Sequence, residues 1–540
     1  MRKWMLLFAV SIYSPMVSGQ IASISTDEAW DMKLSTQVHC DCRDFHSSIF
    51  PYHFDELFSG ERVLENEAPS CKTKSFLCKI SHFRLDSSNE VMVSPLFEYS
   101  PGRSVYSVTN ATNSGLGALY QHKYRNSLAL KLQLYSGYNI LPWFTRETHD
   151  SLGIVPGYGF GSGAGGGYSF HDNQIYFDYK LNTYFRFSTG YGKHFVGDGF
   201  RSIFLSDQGA SYPFFRIETK FWKIKYMVLY SWLKTYTPEN KLIADPDVRK
   251  YSVTHYLSFN ASKRWNINLF EAVVGSGLRN QERSNIDMNF YNPVIFFRPV
   301  DFGIGSPSNI LLGAGFKYKL EKSSVIYGQL LLDDFYLSDL KEDMKHVLHP
   351  NDSTILWGHW FNKQAAQIGV LVSNPGGLEG FRIRAEANFA RPYTWSHKTT
   401  DRNYSHQNQA LAHPLGSNFA EYIVHLSFYH NQWKLDAMLI SATTGLDLPG
   451  FHNGGNIFQP SFDDYMGNNI PVKWYGNYIG QGVRKKTCDI DIRLAYQIIK
   501  GRRFHLFAGL HTRTENYQSF SHNYLIIRAG ITTSLFNHAR

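Results

Sequence analysis

The sequence predicts an all-β fold, a transmembrane antiparallel β-barrel of about 16–18 strands preceded by a small N-terminal helical periplasmic segment. Three observations carry this expectation. Of 540 residues only 18% are charged, while aromatics reach 16% and hydrophobic residues 43%, a balance that a disordered or collagen-like chain does not have. No uninterrupted apolar run approaches the roughly 20 residues that a spanning helix needs. From about residue 90 the apolar residues recur with period two, in segments close to the roughly 9–11 residues of a tilted membrane strand.

The elements follow in order. Arg2 and Lys3 precede the uncharged stretch 4–18, and Val17-Ser18-Gly19 offers small residues for a signal peptidase, so residues 1–19 read as a signal peptide and Gln20 as the mature start. The formal net charge is +9; removing residues 1–19 takes away two cations and no acid, leaving +7. An exported basic chain points to anionic glycans, lipopolysaccharide or another acidic surface as partner, and away from nucleic acid.

Residues 20–90 read as an N-terminal periplasmic helical segment. Two pieces have helical period, Tyr52–Leu64 and Ser70–Leu85, the second with Ser70 as N-cap and Phe76, Leu77, Ile80 and Phe83 on one face. This segment also holds Cys40, Cys42, Cys71 and Cys78, leaving Cys488 on its own. On a continuous helix Cys71 and Cys78 stand roughly 10 Å apart, beyond disulfide reach. A bridge from the 40/42 pair to one of them stays open, and the motif-level signal for zinc, which needs about four well-spaced ligands, is weak. No metal and no cofactor is expected.

Residues 91–540 read as the barrel. Leu128, Leu130, Leu132 and Leu134 oppose Lys131 and Gln133; Trp222, Ile224, Tyr226, Val228, Tyr230 and Trp232 oppose Lys223 and Lys225. Phe381, Ile383, Ala385, Ala387 and Phe389 alternate with Arg382, Arg384, Glu386 and Asn388, and Ile490, Ile492 and Leu494 with Asp489, Asp491 and Arg493. A soluble sandwich also alternates, but fully charged faces suit a wet lumen and an apolar exterior suits lipid. Irregular stretches at about 139–173, 192–211, 275–308, 334–363, 391–419 and 444–487 read as the long extracellular loops. They are rich in Gly, Asn, His, Tyr and Trp, side chains that stack on sugars and bind hydroxyls, or that pack on one another over a barrel mouth. Tyr524–Phe536 reads as the last strand.

Motifs for catalysis are weak. Gly161–Gly166 fits G-x-G-x-x-G, but a strand pattern and not a helix follows it, so it is a loop and not a phosphate cradle. Asp333-Asp334 and the 22 histidines have no nucleophile motif such as G-x-S-x-G beside them. No catalytic residue is assigned and no enzyme is expected.

One block is specific. Gly190-Tyr-Gly-Lys-His-Phe-Val-Gly-Asp-Gly-Phe-Arg-Ser-Ile-Phe-Leu-Ser-Asp207, followed by Tyr212-Pro-Phe-Phe-Arg-Ile217, resembles the signature of the capsule-assembly (Wzi-type) outer-membrane β-barrel family. Tyr291–Pro299, Gly305–Gly313, Tyr327–Asp333, Arg391–His397 and Leu411–Phe419 are similar to its Bacteroidota branch, which includes gliding-motility RemB-type proteins. The resemblance covers most of residues 45–536. His46–Tyr52 also fits it, whereas the Cys-x-Cys before that stretch departs from the family pattern.

The resemblance implies an 18-stranded barrel with a small helical periplasmic element, located in the bacterial outer membrane. It also implies a non-enzymatic role in binding or organising cell-surface polysaccharide, as in capsule assembly or attachment. Lys193, His194, Asp198, Arg201 and Asp207 are then the candidate glycan-binding residues. Two readings stay open for them: contacts to acidic sugars, or an internal ion-pair network that holds a loop inside the barrel. A gliding-motility or adhesion component with an envelope protein partner is the alternative function, and a diffusion channel a further one.

Overall fold

A computed structural model describes residues 23–24, 45–53, 56, 82–86 and 89–533, the last with gaps at 106–110, 235–248, 294–307, 462–471, 499–503 and a few shorter ones. Eighteen antiparallel strands form a closed barrel. They are β1 (Asn89–Ser104), β2 (Ala111–Tyr124), β3 (Leu128–Ile140), β4 (Gly167–His171 and, past a break at 172–173, Gln174–Lys180), β5 (Phe185–Gly192), β6 (Tyr212–Phe221), β7 (Ile224–Lys234), β8 (Arg249–Phe259) and β9 (Trp265–Ser276). The second half comprises β10 (Asn309–Glu321), β11 (Ser324–Leu332), β12 (Gln364–Ser373), β13 (Phe381–Ala390), β14 (Phe419–His430), β15 (Trp433–Leu446), β16 (Val483–Gln497), β17 (His505–Asn516) and β18 (Ser521–Thr532). Each strand pairs with the next in sequence. The sheet closes where β18 meets β1, with five paired positions from Ile526↔Ser104 to Thr532↔Glu98, against twelve between β17 and β18.

The side-chain alternation has the sense that the sequence predicts. Arg382, Arg384, Glu386 and Asn388 of β13 and Asp489, Asp491 and Arg493 of β16 are buried in the lumen, whereas Leu116, Leu134, Ile175, Ile267, Leu330, Ile368, Ile492, Leu494 and Ile527 are exposed on the outer wall. Apolar outside and charged inside inverts a soluble core, and only lipid makes such an outer wall favourable. Large rings ring one end: Trp265 lies 4.5 Å from Tyr318, Trp433 4.9 Å from Tyr496, and Trp222 6.0 Å from Phe259. Such a belt sits at a membrane–water interface. The chain is an outer-membrane barrel.

The connections are one-sided. Residues 222–223 and 431–432 are tight turns at the end that carries the aromatic belt, while the strand ends that flank 141–166, 193–211, 277–308, 333–363, 391–418 and 447–482 all lie at the other end. Barrels of this kind keep short turns in the periplasm and long loops outside, so the second end is extracellular. Among the described residues, two α-helices occur in those loops, α1 (Trp143–Leu152) and α2 (Leu337–Leu348). Neither was expected from the loop compositions.

The N-terminal part departs from the sequence expectation. Tyr52–His53 and His82–Asp86 are strands where helices were expected; Glu56, in the first expected helix, is helical, and the rest of both expected helices lies outside the described residues, as do the signal peptide and Cys40, Cys42, Cys71 and Cys78. Residues 46–53 do not form a separate periplasmic unit; they lie inside the barrel. Ile49–Phe50 pairs as a short strand with Phe195–Val196 of the 193–211 loop. His46 Nδ1 is 2.9 Å from Ser258 Oγ, and His53 Nε2 is 2.7 Å from Glu218. The physical reason is the lumen wall. Buried Glu218, Lys317 and Asp198 need partners, which His53 and Ser47 of this polar, aromatic segment supply, and Glu56 just beyond it pairs with Lys225 at 2.7 Å.

One loop goes the other way. Ile286 and Phe290, from the 277–308 connection, pack on the outward faces of β7 to β10 against Val228, Tyr230, Tyr251, Val253 and Val273. This stretch was expected as a free extracellular loop; instead its described part covers apolar wall that lipid or water would otherwise meet.

Candidate functional site

The specific block of the sequence, residues 193–211, turns into the lumen instead of out into the medium. Its backbone is short of regular partners, so side chains of the wall satisfy it. Glu386 accepts from the Phe200 and Arg201 amides at 2.6 and 3.0 Å, and Gln329 Oε1 accepts from the Ile203 amide at 3.0 Å. Ile203, Phe204 and Leu205 then join Ile49, Val196, Phe270, Trp395, Tyr404 and Phe419 in an apolar core inside the barrel. Phe204 stacks on Phe270 with ring centroids 4.7 Å apart. A Cβ on Gly313 would stand 2.4 Å from the Phe204 ring, so the wall is left bare there for the loop to approach.

The five candidate glycan residues are placed as follows. Lys193 donates to the Gly157 carbonyl at 2.6 Å and lies 3.7 Å from Asp172. His194 is buried among Tyr176, Tyr212 and Phe214, with neither ring nitrogen hydrogen-bonded. Burial, reinforced by Arg216, holds its imidazole well below the usual pKa and hence neutral. Asp198 accepts from Ser47 and pairs with Lys317 at 3.5 Å, which ties the loop to the N-terminal segment. Arg201, only 1% exposed, pairs with Glu421 at 3.4 Å, and Glu421 is 2.8 Å from His413 Nε2. Asp207 is half-buried. The structure therefore brings Asp198 and Arg201 into networks that hold the plug, and it does not gather the five into one open cluster.

Other loops close the mouth above this plug. Helix α1 enters the lumen, where Phe144 meets Tyr524 at 5.4 Å and the Arg513 guanidinium at 4.4 Å. In the 391–418 loop, Trp395 and Tyr393 are fully buried, and the Trp395 amide donates to Asp333 at 2.8 Å. His406 is fixed as a neutral tautomer: its Nδ1 accepts from the Lys234 amide at 3.0 Å, so Nε2–H donates to the Ser211 carbonyl at 3.1 Å. Burial pushes its pKa down to about 3. Among the described residues, no three His, Cys, Asp or Glu side chains are grouped to hold a metal ion.

The surface that faces outwards was not singled out by residue in the sequence. Loops 333–363 and 447–482 are joined by backbone hydrogen bonds, Trp360 N to Trp474 O at 3.0 Å, Gly476 N to Trp357 O at 2.7 Å and Asn477 N to Gly358 O at 3.1 Å. On this shared platform Tyr336 stacks on Phe361 at 4.8 Å and Trp357 on His346 at 4.2 Å, while His359 lies 6.0 Å from Trp474 and 5.0 Å from Tyr475. Tyr336 is 52% and Trp474 50% exposed. The only trace of it in the sequence is the Trp, Tyr and His content of those two loops.

The sequence matches no protein-family model and no curated protein. Among solved structures, similarity is found to Wzi, an outer-membrane protein involved in group 1 capsule assembly in Escherichia coli and described as a carbohydrate-binding β-barrel. The identity is 12% over 81% of this chain and 83% of that one, with a TM-score of 0.47. OprD of Pseudomonas aeruginosa is similar at 7% identity over 83% of this chain and 96% of its own, with a TM-score of 0.40. OccAB2 of Acinetobacter baumannii is similar at 9% identity over 82% of this chain and 97% of its own, with a TM-score of 0.41.

Proposed function

We propose that this chain is a non-enzymatic outer-membrane barrel that binds or organises cell-surface polysaccharide at its extracellular mouth. The observation that carries the reading is the rigid aromatic platform around Tyr336, Trp357, Trp474 and Tyr475, mounted over a lumen filled by its own loops. Flat rings fixed by backbone hydrogen bonds present apolar faces to sugar rings at little entropic cost. The resemblance of residues 190–217 to the capsule-assembly family points the same way, with the block acting as the plug that supports the platform. Under this reading Arg201 and Asp198 position loops and do not touch glycan.

The test is binding of detergent-solubilised full-length protein to the producing cell's own surface polysaccharide. Trp474→Ala and Tyr336→Ala are expected to weaken binding up to about tenfold each, the order of about 1 kcal/mol that a stacked ring contributes. Absence of saturable binding by folded wild-type protein overturns the proposal.

A second reading, a motility or adhesion component with a protein partner, is favoured by one observation. Helix α2 buries no residue, and Leu337, Met344, Val347 and Leu348 are all exposed on it. Exposed apolar residues on one short helix suit a protein surface better than a sugar.

A further inference from the structure

On β16 to β18 the cations fall into two populations. Those that face the lumen are matched: Lys485 lies 3.7 Å from Glu515, Arg513 2.7 Å from Glu515 and 3.2 Å from Asp489, and Arg528 of β18 pairs with Asp491. Those on the opposite parity of β16 are not. Arg484 and Lys486 share the outward face with Cys488, Ile490, Ile492 and Leu494, and among the described residues neither meets a carboxylate; Arg484 Nε makes only a 3.4 Å contact to the Gly480 carbonyl. Two residues of extended strand put their Cα atoms about 7 Å apart.

Their height in the membrane is set by the register. Lys486 stands level with Thr443 and Asn516, and Cys488 with Ser441 and Thr514, whereas Ile492 is level with Leu510. The outer wall thus changes from aliphatic to polar over one or two rungs. The two cations lie just beyond that change, on the side of the long loops, which is the headgroup level of the outer leaflet. There a groove of about 480 Å³ is lined by Arg484, Lys486, Asn516, Gln518 and the rings of Tyr478 and Tyr517. Lys473 Nζ lies 5.7 Å from the Tyr478 ring centroid and adds a third positive charge beside it.

We propose that this rim groove binds the phosphorylated saccharide headgroup of an outer-leaflet glycolipid, so that one lipid is held against β16 and β17 from the membrane side. The Arg484 guanidinium and Lys486 ammonium take the phosphate. The tyrosine rings flank the sugar, and the Asn516 and Gln518 amides reach its hydroxyls. The outward parity of the cations at the aliphatic boundary favours a membrane-anchored ligand over a free one, because an acyl chain hung from that headgroup lies along Ile490 and Ile492. The site is separate from the aromatic platform and does not depend on the polysaccharide reading.

The experiment is native mass spectrometry of the full-length protein released from detergent micelles doped with lipid A, a bisphosphorylated glucosamine-disaccharide lipid. Parallel samples carry phosphatidylglycerol or millimolar inorganic phosphate. Wild-type protein is expected to retain lipid A at least tenfold better than phosphatidylglycerol. Arg484→Ala/Lys486→Ala is expected to reduce that retention at least tenfold, and Arg484→Lys/Lys486→Arg to restore most of it. Lys341→Ala, an exposed cation on α2, serves as the control and leaves retention unchanged. Folding of each variant is checked by heat-modifiable migration in gels, and the surface positions of 484 and 486 leave the barrel intact. Equal retention by the double alanine variant, equal retention of the two lipids, or complete displacement by inorganic phosphate overturns the proposal. Loss of lipid A with unchanged polysaccharide binding supports it.

Discussion

Arg201 illustrates how little the chemistry of a side chain reveals about its use. The sequence identifies it, with Lys193, His194, Asp198 and Asp207, as a charged residue in a specific block, and it leaves open whether the charge meets sugar or protein. What decides is the destination of the loop, which depends on Glu386, Gln329 and Glu421, residues 126 or more positions away. Breaking such a buried pair strands the partner's charge, so Arg201→Ala is expected to cost about 3–5 kcal/mol of barrel stability, measured as the urea midpoint of folded protein in detergent. Binding by the fraction that stays folded is expected to be unchanged.

The histidines of the plug and mouth add a pH dependence at the same scale. His46, His397 and His406 have pKa values pushed down to about 3 by burial, with nearby cations adding to the effect. In the unfolded chain they titrate near 6.5. Between those values the unfolded state binds more protons, so stability is complete above about pH 6.5 and declines as the pH falls towards 3. Unfolding midpoints are expected to drop between pH 7 and pH 4, and His406→Gln, which keeps one donor and one acceptor without a titratable ring, is expected to flatten that drop.

At the scale of elements, the strands were legible and the segments that fill the barrel were not. Alternation marks β3, β7, β13 and β16 because each strand has lipid on one face and a charged lumen on the other, and the loop boundaries come within a few residues for the same reason. Residues 46–53 carry no such pattern. Their conformation is dictated by Lys317, Glu218 and Arg216, and Arg216 donates to the Phe50 carbonyl at 3.4 Å. Helical period was therefore a poor guide to Tyr52 and His53, which form a short strand, since tertiary partners override local propensity. Helices α1 and α2 escaped notice because both sit in loops whose Pro, Gly and His content reads as irregular. The plug predicts behaviour. Purified wild-type protein is expected to conduct almost no ions in planar bilayers, and replacing residues 194–206 with a short Gly-Ser linker is expected to produce steady conductance if the remaining strands stay closed.

Taken whole, the molecule is a cylinder whose two ends and two surfaces have different chemistry: aromatic belt and tight turns at one end, aromatic platform at the other, aliphatic wall outside and ion pairs within. That partition was readable from composition and period. The roles of the platform and the rim groove were not, because each is assembled from loops far apart in sequence.

The closure between β18 and β1 gives this cylinder a weak line. Its ladder has five paired positions and skips Ala529 and Gly530, and a Cβ on Gly530 would stand 2.2 Å from the Tyr99 carbonyl. Gly530→Val is expected to force those two strands apart and to lower the yield of heat-modifiable barrel severalfold. Since the seam joins the first and last strands of the barrel, it cannot zip until the whole sheet exists. It is therefore the last ladder to form during insertion and the first whose amides exchange with solvent deuterium, so the lifetime of the entire wall is set by its shortest row of hydrogen bonds.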